Sequence, residues 1–241
     1  QTLGRHRLDD ARGGWLSGLE GDSAQDHPTI AGLRIGNALP ERSEDEPFLE
    51  WNESRSDGQY FHYLTAWMHA LDMMTRRSSN DIYNRWAREL CDKAVNTFVY
   101  DESRGRLGIQ WKMSIDLTRA LVPSAVHHQP LDAYITIRQL RSTAHERHTI
   151  LLGDPLLSAQ TTMAKMLGYQ SFVSQDPLDI GHLLANASRF AQIMEPSSMH
   201  DISWLLEILH SAEEALSLYI LGQPLEIPIS ERRPFAELTL A

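Results

Sequence analysis

The sequence predicts an all-α fold assembled from helical hairpins. Three observations carry the prediction. From Tyr60 onward, apolar residues recur at helical rather than strand spacing. A strongly apolar helix is followed by an amphipathic one, and the pair recurs along the chain. Several helices open on proline beside an acidic or amide residue. Proline suits the first turn because its fixed φ is already helical and its missing N–H has no intrahelical partner there. With 241 residues, 42% of them hydrophobic, the chain is long enough to bury a large core.

Residues 1–56 read as a loop-rich N-terminal segment that packs on a helical domain spanning 57–241. The segment carries Gly13-Gly14, Gly18, Gly21, Pro28, Gly32, Gly36, Pro40 and Pro47, with many acids between them. A segment this long inside a domain is usually functional or disordered. Its least polar stretch, Gly32-Leu33-Arg34-Ile35-Gly36, reads as a short strand or an ordered loop. In the first helix, Tyr60, Leu64, Trp67, Leu71 and Met74 make one stripe, widened by Phe61 and Met68. No charged residue falls between Gly58 and Leu71, so this helix is expected to be buried on nearly all sides. Its partner, 81–98, has Ile82, Trp86, Leu90 and Ala94 on one face and Asp81, Arg85, Arg88, Glu89, Asp92 and Lys93 on the rest. That is an amphipathic outer helix.

Residues 101–106 make a turn, and the loose alternation from Leu107 to Ile115 predicts a short β-hairpin insertion. Gln129-Pro130-Leu131-Asp132 opens a second apolar helix, and Gly153-Asp154-Pro155-Leu156 opens its partner, which ends near Gly168. Asp176-Pro177-Leu178-Asp179 opens a third apolar helix. His200-Asp201-Ile202 opens the last amphipathic one, with Trp204, Leu205, Ile208, Leu209, Leu216 and Tyr219. The two Pro-Leu-Asp triplets stand about one hairpin apart, as a repeated unit requires.

Composition excludes several functions. A formal net charge of −10 opposes non-specific binding of nucleic acid, which needs clustered Lys and Arg. The Arg76-Arg77 and Arg232-Arg233 pairs have no aromatic residues interleaved. No apolar run reaches the roughly 20 residues that cross a bilayer, so no membrane partner is expected. The single cysteine, Cys91, rules out an internal disulfide framework and reads as a small buried apolar residue. Lack of disulfides favours a cytoplasmic location. Glycine-rich phosphate loops and the G-x-S-x-G nucleophile elbow are absent, and no cofactor is expected.

The strings Asp57-Gly58-Gln59-Tyr60-Phe61-His62-Tyr63-Leu64, Trp67-Met68-His69-Ala70-Leu71 and Trp111-Lys112-Met113-Ser114-Ile115-Asp116-Leu117, with the alternating hairpins, resemble the six-hairpin glycosidase-like superfamily and its uncharacterised bacterial members. The resemblance covers roughly residues 30–221. It implies an (α/α) toroid, an inner ring of helices wrapped by an outer ring. Glycoside hydrolases, unsaturated-uronide hydrolases and sugar epimerases use that scaffold. The chain supplies about half the helices of a full ring. Either hairpins precede Gln1 or the ring is incomplete.

In such a ring the inner helices run in one direction, so their N-terminal ends gather on one rim. The rim candidates are Asp57, Gln59, Tyr60 and His62, then His127, His128, Gln129 and Asp132, then Asp176, Asp179 and His182. A polar and aromatic rim over an apolar barrel suits a small-molecule site. Asp57 and Asp132 are candidate acid and base for glycoside cleavage, which needs two carboxylates across the scissile bond. Each Asp near a helix start also has a simpler use as a cap. His62 and His69 share a helix face and suit proton transfer near neutral pH. His127 and His128 are adjacent and point apart, and no His-x-x-x-His pattern exists, so no metal is expected. Trp111, beside Lys112, is the candidate sugar-stacking ring. Arg34 and the charges Glu41, Arg42, Glu44 and Glu46 belong to the leading segment, which either closes over the rim or is simply solvated.

The leading expectation is a carbohydrate-active enzyme, a glycoside hydrolase using Asp57, Asp132 and His62 on a sugar-like substrate. The second is a cofactor-independent sugar epimerase or isomerase using His62. The third is a non-catalytic toroid that binds a ligand or a protein.

Overall fold

A computed structural model describes residues 2–101, 105–122, 129–149, 155–168, 171–222, 226 and 228. The described residues are mostly helical, with small antiparallel sheets. No helix among them is long and apolar enough to cross a membrane. The chain divides into two compact units, Gln1–Met166 and Leu167–Ala241.

The first unit begins with the leading segment. It is ordered but largely irregular, with two short helices, α1 (Gly21–Asp26) and α2 (Glu50–Glu53). The stretch 32–36 is an ordered loop: Arg34 N–H donates to Leu3 O (3.0 Å) and Ile35 N–H to Gly58 O (2.8 Å). A two-residue strand, β1 (Gln59–Tyr60), leads into α3 (Phe61–Ser78). Ser79 then takes a left-handed conformation (φ 56°) and donates its N–H to Thr75 O. Asn80 Oδ1 accepts the Ile82 N–H (3.1 Å). This tight junction starts α4 (Ile82–Phe98), which folds back on α3. Contacts at both ends fix the hairpin as antiparallel: Phe61 meets Phe98 (5.6 Å between ring centroids), and Asp72 meets Asn84 (2.9 Å). Cys91 is fully buried on α4, as expected.

The strands differ from the sequence expectation. β2 (Val99–Asp101) pairs with β3 (Leu107–Ile109). β4 (Lys112–Met113) pairs with β1 on one side and with β5 (Ala120–Val122) on the other. The stretch 107–115 therefore does not fold onto itself. Its two halves join separate sheets, because their partners are supplied by the end of α4 and by the residues before α3.

The second apolar helix is α5 (Gln129–Glu146), buried along nearly its whole circumference. Three polar rungs join it to α3. The Thr65 hydroxyl donates to Asp132 Oδ2 (2.7 Å), His69 Nδ1 shares a hydrogen bond with Gln139 Oε1 (3.1 Å), and the Thr143 hydroxyl donates to Asp72 Oδ2 (3.1 Å). Residue numbers rise together on both sides, so α3 and α5 run parallel. The α4 helix returns the chain between them. An Arg141–Gln160 hydrogen bond links α5 to α6 (Pro155–Leu167).

The expectation that α3 is buried on nearly all sides is corrected. Its inward stripe is Phe61, Leu64, Thr65, Met68, Asp72 and Thr75. Tyr63, Trp67, Met73 and Met74 are exposed. The apolar pattern of α3 is real, but α4 and α5 cover only two of its sides.

The second unit holds the hairpin of α7 (Pro177–Ile193) and α8 (Met199–Leu221). Asp176 caps α7 by accepting the Leu178 N–H (3.0 Å), and Ser198 caps α8 by accepting the Asp201 N–H (3.2 Å). Phe190 and Trp204 meet edge to face at 4.8 Å. The α7 helix is also one-sided rather than buried all round: His182 and Leu184 are exposed.

Asp72 is almost fully buried and accepts from Arg76 Nε (3.1 Å), Asn84 Nδ2 and the Thr143 hydroxyl. Asp72→Ala takes this acceptor from the Thr143 hydroxyl and from one N–H of Asn84, whose other N–H keeps Leu140 O, and a stranded buried donor costs about 1–3 kcal/mol. Urea unfolding of this variant should show a loss on the order of 3 kcal/mol, against little change for the exposed Asp92→Ala.

Candidate functional site

The parallel packing of α3 and α5 brings their N-terminal ends to one side of the first unit. Four aromatic rings meet there. Tyr60 closes β1, and its ring lies 5.3 Å from His62, 5.4 Å from Tyr63 and 5.1 Å from Trp111. His62 lies 4.5 Å from Tyr63 and is stacked nearly parallel to Trp111, at 15° and 6.2 Å. Trp111 is held in place because its carbonyl accepts the Phe61 N–H (3.3 Å). Tyr60 is buried, His62 and Trp111 are half-buried, and Tyr63 is exposed. The Thr65 hydroxyl joins this cluster to the start of α5: it donates to Asp132 Oδ2 and sits 2.9 Å from the His62 carbonyl oxygen.

Gln129 opens α5 three residues before Asp132. It is buried, yet neither its amide oxygen nor its amide nitrogen has a hydrogen-bond partner among the described residues. Buried polar groups are normally paired.

The other candidates lie elsewhere in the structure. Asp57 has no exposed side-chain surface. Its Oδ2 accepts from Arg34 Nη1 (2.9 Å), and its Oδ1 accepts the N–H groups of Gly36 (2.8 Å) and Gly58 (3.0 Å). So enclosed, the Asp57 carboxylate, the expected acid or base, serves in this structure as an internal anchor. Arg34 shares this role, its Nε donating to Arg5 O (2.7 Å). Gln59 is fully buried and engaged at both ends of its amide: its Oε1 accepts from Leu33 N–H (2.8 Å) and its Nε2 donates to Ala31 O (3.1 Å) and Ile115 O (2.7 Å). Gly32, at φ 84°, passes so close that a Cβ there would stand 2.0 Å from Gln59 Oε1. Gln59 is thus an internal brace, with both of its amide N–H groups used. His69 sits two turns along α3, in its rung with Gln139. Asp179 belongs to the second unit and accepts from the Ser174 hydroxyl (2.7 Å). His127 and His128 lie outside the described residues. Among the described residues no three His, Cys, Asp or Glu side chains stand close enough to hold a metal ion.

Two charges of the leading segment are tied into the fold, while Glu44 and Glu46 are exposed. Glu41 Oε2 accepts the Ile115 N–H (2.6 Å), and Arg42 reaches Glu53 Oε2 (2.8 Å) and Leu121 O (3.1 Å). Behind the aromatic cluster lies a buried ion pair that sequence reasoning missed. Lys112 Nζ meets Glu53 Oε1 (2.9 Å) and donates to Glu53 O, Ser56 O and the Ser56 hydroxyl. It also stands 5.2 Å from the centre of the Tyr60 ring. Burial pushes the Lys112 ammonium down from its ordinary range, and the Glu53 hydrogen bond recovers only part of that. Burial pushes the Glu53 carboxyl up, but its hydrogen bonds to Lys112 and Arg42 outweigh burial and hold it below the ordinary 4.5. Burial pushes the Tyr60 phenol up to about 12, so Tyr60 is a neutral donor at pH 7. No signal in the sequence marks the Glu53–Lys112 pair, because its members are 59 residues apart.

Comparison of the chain with protein-family models gives no match, and the comparisons with curated proteins and with solved structures give none either.

Two outcomes follow. Asp57→Asn removes the charge facing Arg34, and breaking a buried pair in this way typically costs about 3–5 kcal/mol. Its urea midpoint should fall accordingly, with or without any ligand. Glu53 is held below its unfolded value, so its stabilisation is present above pH 4.5 and fades as pH falls through the lower folded value. Glu53→Gln should be less stable than wild type at pH 7, and the gap in thermal midpoint should narrow as pH falls from 4.5 through the lower folded value.

Proposed function

We propose that the first unit carries a carbohydrate site at the joined N-terminal ends of α3 and α5, and that these helices are inner-ring members of an (α/α) toroid. The observation that carries the reading is the juxtaposition of Tyr60, His62, Tyr63 and Trp111 with Asp132 at that end. Sugar rings present apolar C–H faces that aromatic rings cover, and hydroxyls that carboxylates, amides and imidazoles bind. Trp111 and Tyr63 supply the stacking surfaces. Asp132 and His62 supply hydrogen bonds, and Gln129, at the start of α5, has an amide without a hydrogen-bond partner among the described residues.

The chemistry that this set supports best is proton transfer. Asp57, the expected second carboxylate, is sealed by Arg34 and two backbone N–H groups, and two-carboxylate glycoside cleavage loses its pair. An imidazole and one carboxylate suffice to remove and return a proton near neutral pH. The favoured reaction is therefore a sugar isomerisation or epimerisation, with His62 as the base and Asp132 as its partner.

Thermal-shift and calorimetric titration with neutral sugars, uronates and amino sugars tests the reading. A sugar should bind, Trp111→Ala should weaken it about tenfold, the factor that about 1.4 kcal/mol of lost stacking gives, and His62→Ala should abolish conversion. Binding without conversion in wild type leaves a sugar-binding module. No sugar bound overturns the proposal.

A further inference from the structure

A second concavity lies in the first unit, between the leading segment and the α3–α4 hairpin. It has a volume of about 270 Å³ and is lined by Thr2, Leu3, Pro28, Thr29, Leu33, Trp67, Leu71 and Trp86. None of these residues is charged, in a chain whose residues are 22% charged. Two of them are tryptophans, one on each helix of the hairpin. Trp67 is 43% exposed.

The walls are held before any ligand arrives. Trp86 Nε1 donates to Asp26 O (2.7 Å), and the Thr29 hydroxyl donates to Trp86 O (2.8 Å). Leu33 N–H is fixed by Gln59 Oε1 (2.8 Å), and Leu3 O accepts the Arg34 N–H (3.0 Å). The polar groups of Trp86 and Thr29 are thus already engaged, and what faces the cleft is chiefly hydrocarbon and indole. Preorganised walls lower the ordering cost of binding.

We propose that this cleft is a binding site for a small, neutral, planar aromatic molecule of one or two fused rings. Size sets the ring count: a cavity of about 150 Å³ takes benzene, and this one is larger but stays below the range of drug-sized pockets, which begins at about 300 Å³. Charge sets the neutrality, since no lining residue compensates an ion taken out of water. The two indoles set the preference for a ring, through offset or edge-on contacts. Eight lining residues are too few for a protein partner, since a stable interface uses about 20–30 residues a side. The site is separate from the rim at Trp111, and its occupancy does not depend on the proposed sugar chemistry.

Calorimetric titration of the full chain with indole, 2-naphthol and benzoate tests the proposal. Indole or 2-naphthol should bind at one site per chain, and benzoate should not. Trp67→Ala should weaken binding about tenfold. Thr2→Trp, at an exposed rim position, should block the cleft without touching the core. Trp111→Ala should leave binding unchanged. The proposal is overturned if neither neutral probe binds, or if binding survives both Trp67→Ala and Thr2→Trp. It is equally overturned if sizing at several concentrations shows self-association that Trp67→Ala abolishes while no probe binds, since the occupant is then a second copy of the chain.

Discussion

The buried carboxylate of Asp72 holds three helices in one register. It comes from α3, takes a side-chain amide from α4 and a hydroxyl from α5, and keeps one charged partner, Arg76, near the surface. Asn84 extends the junction by donating to Leu140 O (3.1 Å). Apolar packing brings helices together without fixing how far each slides along the other. Directional bonds to one buried oxygen pair do fix it. With that register set, Thr65 meets Asp132 and His69 meets Gln139, and the beginnings of α3 and α5 come level. The aromatic cluster exists at that end because Asp72 fixes the helices two to three turns away.

A second set of buried charges does the same for the leading segment. Asp57 binds Arg34 and the backbone of Gly36, and the Glu53–Lys112 pair ties α2 to β4. Gly58 lets the two sets lie side by side: at φ 149°, a Cβ there would stand 2.8 Å from Lys112 Cε. Such pairs stabilise a fold little compared with apolar residues of equal size, but losing one partner is costly. Their effect is to make one arrangement of a glycine-rich segment much better than its alternatives. That arrangement forms one wall of the Trp67–Trp86 cleft and backs the ring of Tyr60.

Local physics made much of the helical framework legible. Pro130 and Pro177 mark real helix starts, and Asp176 is the cap that its position beside Pro177 implies. The alternation around α4 predicts its buried Leu90 and Ala94. The candidate site was legible only in part. Tyr60, His62 and Trp111 do meet, and Asp132 is joined to them through Thr65. Asp57, Gln59 and Arg34 are anchors instead, because a polar side chain before a helix looks the same in sequence whether it faces solvent or a neighbouring loop. Tyr63 and the exposed side of α3 were misread for a related reason: hydropathy reports how apolar a face is, but whether another element covers it depends on the rest of the chain.

The sequence by itself determined that this chain is helical, where most helices begin, and that Cys91 is buried, because capping, proline geometry and periodicity act within a few residues. Only the tertiary structure decided that α3 and α5 run parallel, that the halves of 107–115 join different sheets, and that Asp57 is sealed while Trp67 is exposed. Those outcomes depend on bonds between residues far apart in the chain, such as Thr65 with Asp132 and Lys112 with Glu53, and no local pattern encodes which distant partner a side chain will find.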